Sequence, residues 1–191
     1  MGAEDWLRAS PQERAEAARA EIGGDLLAHW CGDVLAGRVH IDSSSADDVP
    51  DPRWLAGRQW ERWGPARTWP ERNLDYWPRV WAARTLLHIG DDGARGEIIG
   101  GLSDQSWRVR EMCAKAVARY EIGEAGDACA RIVRTDANSR VRIGALRALA
   151  VIGESEHAGA VLDSLDDDEI GADASTTLRA MEERLDRPLG P

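Results

Sequence analysis

Apolar residues recur three and four positions apart along the second half of the chain, which is the spacing of amphipathic helices. The stretch from Pro78 to Gly90 aligns without gaps with the stretch from Val141 to Gly153, and both end in Ile-Gly. A third stretch that begins at Val109 reaches its Ile-Gly two residues later, and a divergent fourth copy begins at Ile170. The pattern therefore predicts four helices of one kind, repeated about every 30 residues.

A column of small residues marks the predicted buried face of these four helices. Its members, spaced by 31, 32 and 29 residues, are Ala82, Cys113, Ala145 and Ala174. A second amphipathic stretch precedes each of the last three copies, over residues 94–102, 127–133 and 157–165, and an acidic turn separates the two. Such pairs of helices are typical of repeat proteins. We expect Gly90, Gly123 and Gly153 to be left-handed caps at the ends of the helices.

The repeated unit, an Asp-containing turn followed by Val-Arg, a small residue, Leu and Ile-Gly, resembles HEAT repeats of the bilin-lyase type over residues 76–183. The resemblance implies an all-α fold in which residues 76–191 form one short right-handed α-solenoid of helix pairs. It also implies that Arg110 and Arg142 are structural and face the turn acids Asp104 and Asp136. The fourth copy has Gly171 in place of this arginine, which suits a terminal repeat.

The first 75 residues are less regular and are interpreted as a divergent helical cap on the array. Ser10-Pro11-Gln12-Glu13 is a capping box that predicts a helix from Pro11 to about Glu21. A second helix is expected over residues 25–35, followed by a polar loop near residues 42–52. Helical spacing resumes over residues 53–63.

Charge and composition narrow the classes of function. The 191 residues carry a net charge of −10, and 43% are hydrophobic, which excludes general disorder. Residues 54–153, however, hold 16 basic and 12 acidic side chains. The negative total argues against nonspecific nucleic-acid binding, although the basic middle weakens that argument. No apolar run approaches the roughly 20 residues of a membrane span.

Cysteine content and the N-terminal sequence together predict a cytoplasmic location. Three cysteines cannot form a disulfide framework and fit a reducing compartment. The N-terminus is charged from residue 4 and has no apolar leader. The 23 arginines against one lysine, together with abundant alanine, suggest a GC-rich bacterial source.

One strip of each repeated helix is a candidate binding surface, because its residues follow an i, i+4, i+7, i+11 spacing beside the buried column. Since the resemblance implies that these helices line the concave side, the strips predict a basic groove with an aromatic end. The alternative is that part of each strip packs against the neighbouring repeat. In the third copy the strip consists of Arg140, Gly144, Arg147 and Val151. The predicted binding residues are Trp77, Trp81, Arg84, His88, Arg108, Lys115, Arg119 and Arg147.

Six tryptophans lie within residues 54–81, interleaved with arginines. They form either the core of the cap, in a chain without phenylalanine, or an interface rich in Trp and Arg. We favour the core for most of them, with Trp77 and Trp81 as exceptions. His29 and Cys31 have donor types that suit zinc, but their spacing points them apart on a helix, so no metal or cofactor is predicted.

Three functions remain open from the sequence. The leading hypothesis is a noncatalytic scaffold or adaptor that binds a protein or peptide, with an acidic segment favoured. The second is an alkylpurine DNA glycosylase, a class that includes HEAT-like proteins, for which only Trp77, Trp81 and either Asp75 or Asp173 are candidates. The third is a bilin lyase or isomerase, with no assignable residue. No catalytic motif is found, so no catalytic residue is predicted.

Overall fold

The computed structural model describes residues 5–41, 50–90 and 93–190, and over these ranges the chain is helical without strands. The all-α prediction is confirmed. The α-helices are α1 (Pro11–Ile22), α2 (Gly24–Leu35), α3 (Arg53–Ala56), α4 (Gln59–Trp63), α5 (Trp77–Ile89), α6 (Arg95–Gly101), α7 (Trp107–Tyr120), α8 (Gly126–Thr135), α9 (Ser139–Ile152), α10 (Ala158–Leu162) and α11 (Gly171–Leu185).

The chain divides into two compact units, Met1–Ile98 and Ile99–Pro191, here called the first and second units. The boundary at residue 75 between cap and array, which was drawn from the sequence pattern, stays a prediction. Most of the predicted polar loop at 42–52 lies outside the described residues. Within the described ranges, no helix combines the length and apolar character that crossing a membrane requires.

Local sequence signals explain how the first unit begins. The Ser10 hydroxyl accepts a hydrogen bond from the Glu13 amide at 3.3 Å, and the Glu13 carboxylate accepts one from the Ser10 amide at 2.8 Å. This capping box starts α1 as predicted. The helix expected over residues 53–63 is instead two short helices, because Gly57 adopts a φ of +56° and ends α3.

Helix α5 lies at the centre of the first unit, where it packs against α1, α2 and α3. Four consecutive residues of α5, at positions 80–83, are buried, so more than one face of the helix is covered. The described part of the first unit is therefore organised around this helix, the first of the four repeated copies.

In the second unit, α9 packs between α7 and α11, and α8 and α10 pack against each other. Helix α9 packs against α7 and α11, and it also pairs with α8, while α10 packs against both α8 and α11. The Thr177 hydroxyl donates to the Leu146 carbonyl at 3.1 Å, and the Arg184 guanidinium donates to the Gly153 carbonyl. Both contacts join residues 31 positions apart, so the spatial offset of α9 and α11 matches the sequence period.

The predicted buried column is confirmed in both units, because all four of its residues are fully buried: Ala82, Cys113, Ala145 and Ala174. The predicted glycine caps are only partly correct. Gly90 has a φ of +116° at the end of α5. Gly153, in contrast, has a φ of −67°, and its missing Cβ makes room for the Leu149 carbonyl, 2.5 Å from where that atom would lie. Helix α7 ends at Tyr120, before Ile122 and Gly123. The residue in the left-handed conformation at its end is therefore Glu121 and not Gly123.

Candidate functional site

Four tryptophans of the first unit pack together in an aromatic cluster. Trp63, Trp69, Trp77 and Trp81 contact one another with ring centroids 5.2–6.2 Å apart, mostly edge to face. Trp69 is 2% exposed, and its indole N–H donates to the Gly64 carbonyl at 3.1 Å. This arrangement supports the core interpretation of the cluster over the interface interpretation.

Trp81 was predicted to line a binding surface, and that prediction is wrong because its side chain is 0% exposed. The cause is the central position of α5, which is covered on several faces and leaves no free strip at this residue. Trp77 is half-buried, where it contacts the rings of Trp63 and Tyr76. His88, at the other end of the strip, is also half-buried.

Arg84 belongs to the same strip but lies in partly desolvated surroundings. Burial lowers the pKa of Arg84 to about 10, and the positive charge of Arg14 contributes to the same shift. Arg14 on α1 is itself buried, and its guanidinium donates to three backbone carbonyls. Arg14 was not among the predicted site residues; a signal in the sequence was its position on the same helix face as the buried Ala18, four residues later.

The first unit also contains an open cavity of about 300 Å³. Trp69 lines it together with the charged or titratable residues His40, Arg67, Asp75 and Arg79. The Arg79 guanidinium donates to the backbone carbonyl of Asp75 at 3.4 Å. Asp75, one of the two aspartates considered for a glycosylase, is exposed at this cavity, whereas Asp173 lies in the second unit beside Arg147.

A Trp/Arg cluster lies on the surface of the second unit, at the start of α7. The guanidinium carbon of Arg108 is 4.4 Å from the centroid of the Trp107 ring, and that of Arg140 is 5.9 Å from the same ring. Trp107 is half-buried and Arg140 is exposed. Trp107 was not among the predicted site residues, although its position next to Arg108 and two residues before the Val109-Arg110 motif was a usable signal.

The cluster also shows that α7 and α9 run in the same direction. Residues near the start of both helices meet at Trp107 and Arg140. One to two turns further on, Gly144 faces α7, with its missing Cβ only 3.2 Å from the Cβ of Ala114. Gly144 therefore lies in the helix interface, so the predicted strip on α9 is interrupted at this position and resumes at Arg147.

The remaining predicted cations have partners in the second unit. The Lys115 ammonium is 2.8 Å from the Glu111 carboxylate, and the Arg147 guanidinium is 3.5 Å from Asp173. Their side chains stay 41% and 68% exposed. Arg119 is exposed, with its guanidinium 5.9 Å from the Tyr120 ring. The Arg147–Asp173 pair is exposed and long, and such pairs contribute little to stability, so Arg147 can change partner. Lys115 pairs with the less exposed Glu111.

Arg110 and Arg142 have structural positions, but each contacts a different carboxylate from the one predicted. Arg110 donates to the Asp104 carbonyl at 2.8 Å and forms two bonds, at 2.6 and 2.9 Å, with the carboxylate of Asp136 in the following turn. Arg142 likewise donates to the Asp167 carboxylate at 2.8 Å. Each arginine therefore links the start of its own helix to the following acidic turn.

These contacts shift the pKa of both carboxyl groups. Burial raises the pKa of Asp136, but hydrogen bonds from Arg110 and from the Asn138 amide outweigh that effect and leave the pKa below its ordinary value. The pKa of Asp167 is lowered, first by the Glu169 amide and next by Arg142. Both acids therefore stay ionised as structural anions at neutral pH.

The described residues contain no group of three or more His, Cys, Asp or Glu side chains that could hold a metal ion. His29 is exposed while Cys31 is buried, so the two donors point apart as their spacing predicted. The three cysteines are free and buried, and burial raises the pKa of Cys129 to about 12. A thiol in that environment is a packing residue rather than a nucleophile.

Comparisons with protein-family models, with curated proteins and with solved structures found no match to this chain.

Proposed function

We propose that this chain is a noncatalytic binding module of HEAT-like helix pairs, with a surface on its second unit that binds a protein or peptide partner. The binding surface consists of the Trp/Arg cluster and the exposed cations further along α7 and α9, and is here called the α7/α9 face: Trp107, Arg108, Lys115, Arg119, Arg140 and Arg147.

The proposal of HEAT-like pairs is supported by contacts that repeat with the sequence. The 31-residue offset joins α9 to α11 at two places, and Arg110 and Arg142 make the same kind of link between successive turns. A repeat that contacts only its neighbours favours such recurring contacts. A solenoid built from these pairs is the arrangement we propose.

The observation that carries the binding proposal is the contact of Trp107 with two arginines, one from α7 and one from α9. Trp and Arg are enriched among residues that dominate the binding energy of protein interfaces. Lys115 lies two turns after Arg108 on α7, and Arg147 lies two turns after Arg140 on α9, so both add positive charge to the same surface. Glu111 and Asp173 neutralise part of the positive charge of Lys115 and Arg147. We therefore propose a partner with an acidic segment, whose carboxylates replace Glu111 and Asp173 as the contacts of these two cations.

A site-specific photocrosslinker tests the proposal. Val151 is an exposed apolar residue on the α9 strip, and Arg131 is an exposed residue on α8. With benzoylphenylalanine placed at either position in the full chain within its native cells, we expect protein adducts at position 151 and few at position 131. Trp107→Ala should reduce the adducts at 151. Equal adduct yields at both positions, or no effect of Trp107→Ala, would contradict the proposal.

A further inference from the structure

The cavity in the first unit lies where three segments of the chain meet. These are the end of α2 with the residues that follow it, the short helical turns over residues 66–72, and the start of α5. Every residue that lines the cavity belongs to the first unit. With a volume of about 300 Å³, it is at the lower end of the roughly 300–1,000 Å³ that small-molecule sites occupy. Its size therefore suits a small molecule and not a segment of another protein chain.

Part of the lining is apolar and is held in place by packing. Val34, Ile41 and Trp69 belong to this part, and all three are buried residues. The Trp69 ring meets the Trp81 ring edge to face, with 5.8 Å between centroids, and its indole N–H donates to the Gly64 carbonyl at 3.1 Å. Because these contacts fix the ring without any ligand, an apolar group that packs against it costs little further side-chain entropy in the protein.

Charged side chains of both signs line the same cavity. Arg67 and Asp75 are exposed there. Among the residues that the structure describes, neither the Arg67 guanidinium nor the Asp75 carboxylate forms a hydrogen bond or an ion pair. His40 and Arg79 complete the polar lining, and the Arg79 guanidinium donates at 3.4 Å to the backbone carbonyl of Asp75. The cavity therefore offers a ligand one cation and one anion that the described part of the chain leaves unpaired.

A ligand that carries both a carboxylate and an ammonium group complements these two charges. The planar guanidinium of Arg67 matches two carboxylate oxygens, and the Asp75 carboxylate can accept hydrogen bonds from an ammonium group. A carboxylate alone would bring a negative charge near Asp75, and an amine alone would bring a positive charge near Arg67, so each is disfavoured by like charge. The apolar lining suits an aliphatic or aromatic side chain, whose burial removes apolar surface from water.

We propose that this cavity binds a free α-amino acid with an apolar side chain. Arg67 holds the carboxylate of the ligand and Asp75 holds its ammonium group, while the side chain of the ligand packs against the apolar lining. The site lies within the first unit and shares no residue with the α7/α9 face, so either proposal can fail without the other.

Calorimetric titration of the full chain at pH 7 tests the site. L-leucine and L-phenylalanine are each compared with two analogues, the N-acetyl derivative and the amide. The N-acetyl derivative lacks the ammonium charge and resembles the C-terminus of a peptide, while the amide lacks the carboxylate and resembles the N-terminus. We expect saturable one-to-one binding of at least one of the two amino acids. Both of its analogues should bind at least about tenfold more weakly, because each loses one charged hydrogen-bonding contact.

Two variants connect each charge of the ligand to one residue. Asp75→Asn should weaken binding of the amino acid about tenfold without weakening binding of the N-acetyl derivative, and Arg67→Met should do the same relative to the amide. Glu21→Gln and Arg8→Met are the matched controls, since both residues are exposed in the first unit outside the cavity, and both variants should bind like the wild-type chain.

Three results would overturn the proposal. The first is the absence of saturable binding at millimolar concentrations of either amino acid. The second is an N-acetyl derivative or an amide that binds as tightly as its amino acid, which would indicate a site for a peptide terminus. The third is wild-type affinity for the amino acid in Arg67→Met or Asp75→Asn.

Discussion

At the scale of single residues, arginines of similar sequence context have different roles because their neighbours differ. Arg110 and Arg142 each reach a carboxylate 25 or 26 residues later and thereby connect turns. Arg14 is buried and donates to three backbone carbonyls, and Arg84 is half-buried. Arg119 on α7 and Arg140 and Arg147 on α9 combine exposure with a position on the α7/α9 face. Charge alone therefore does not identify a binding residue in this arginine-rich chain.

The link between Arg110 and Asp136 predicts a pH-dependent contribution to stability. Arg110→Met should lower the free energy of unfolding by about 2 kcal/mol at pH 7, because it leaves a largely buried carboxylate without its charged partner. The folded pKa of Asp136 lies below its ordinary value of 3.8. The contribution is therefore complete above about pH 5 and is lost as the pH falls through the folded pKa.

Urea unfolding between pH 7 and pH 3 measures this effect as the difference between the wild-type chain and Arg110→Met. The difference should be constant at the upper end and shrink below about pH 4. Arg131→Met, at an exposed position, should differ little from wild type at any pH. A difference that stays unchanged down to pH 3 would show that Asp136 is not the partner that matters.

At the scale of elements, the second unit depends on the close approach of α7 and α9. Gly144 permits this approach, since a Cβ there would be 3.2 Å from that of Ala114. The same approach places Arg140 against the Trp107 ring. The glycine that interrupts the predicted strip is thus the residue that allows the two helices to form a shared face.

Gly144→Leu should force α7 and α9 apart and lower the free energy of unfolding by about 1–3 kcal/mol, as overpacking of an interface does. Gly100→Leu is the matched control, because Gly100 is an exposed helical glycine with no atom within 4 Å of its missing Cβ. Urea denaturation of both variants checks the prediction. It would be refuted if both variants had the same stability.

The face that the repeated helices bury against each other could be predicted from the sequence. Burial of residues on the opposite face of α5 by other parts of the chain could not. Spacing alone places Ala82, Cys113, Ala145 and Ala174 on the inner face, and all four are buried. Trp81 and Arg84 were predicted to be exposed because a strip on one helix does not reveal which other helices cover it. The rings of Trp63 and Trp69, which come from the irregular segment before α5, contact Trp81, and α1, α2 and α3 also pack against α5. The pattern of the repeated helix gave no sign of this packing.

At the scale of the whole molecule, charge is distributed in a way that suits a selective binding surface. The chain has a net charge of −10, yet residues 54–153 contain more bases than acids. A net negative protein repels polyanions at long range, whereas a local basic face can still bind a matching acidic segment. The exposed cations of α7 and α9 belong to this basic part of the chain.

The most direct test of the α7/α9 face is the affinity of a charge-reversed chain for the protein captured through position 151. Arg140→Glu/Arg147→Glu reverses two exposed charges on the face, and Arg131→Glu/Arg134→Glu makes the same change in net charge on α8. Calorimetric titration should show at least a tenfold weaker Kd for the first variant and a nearly unchanged Kd for the second, if the face pairs with acids in the partner as we propose. Equal affinities for the two variants would contradict the proposed binding surface.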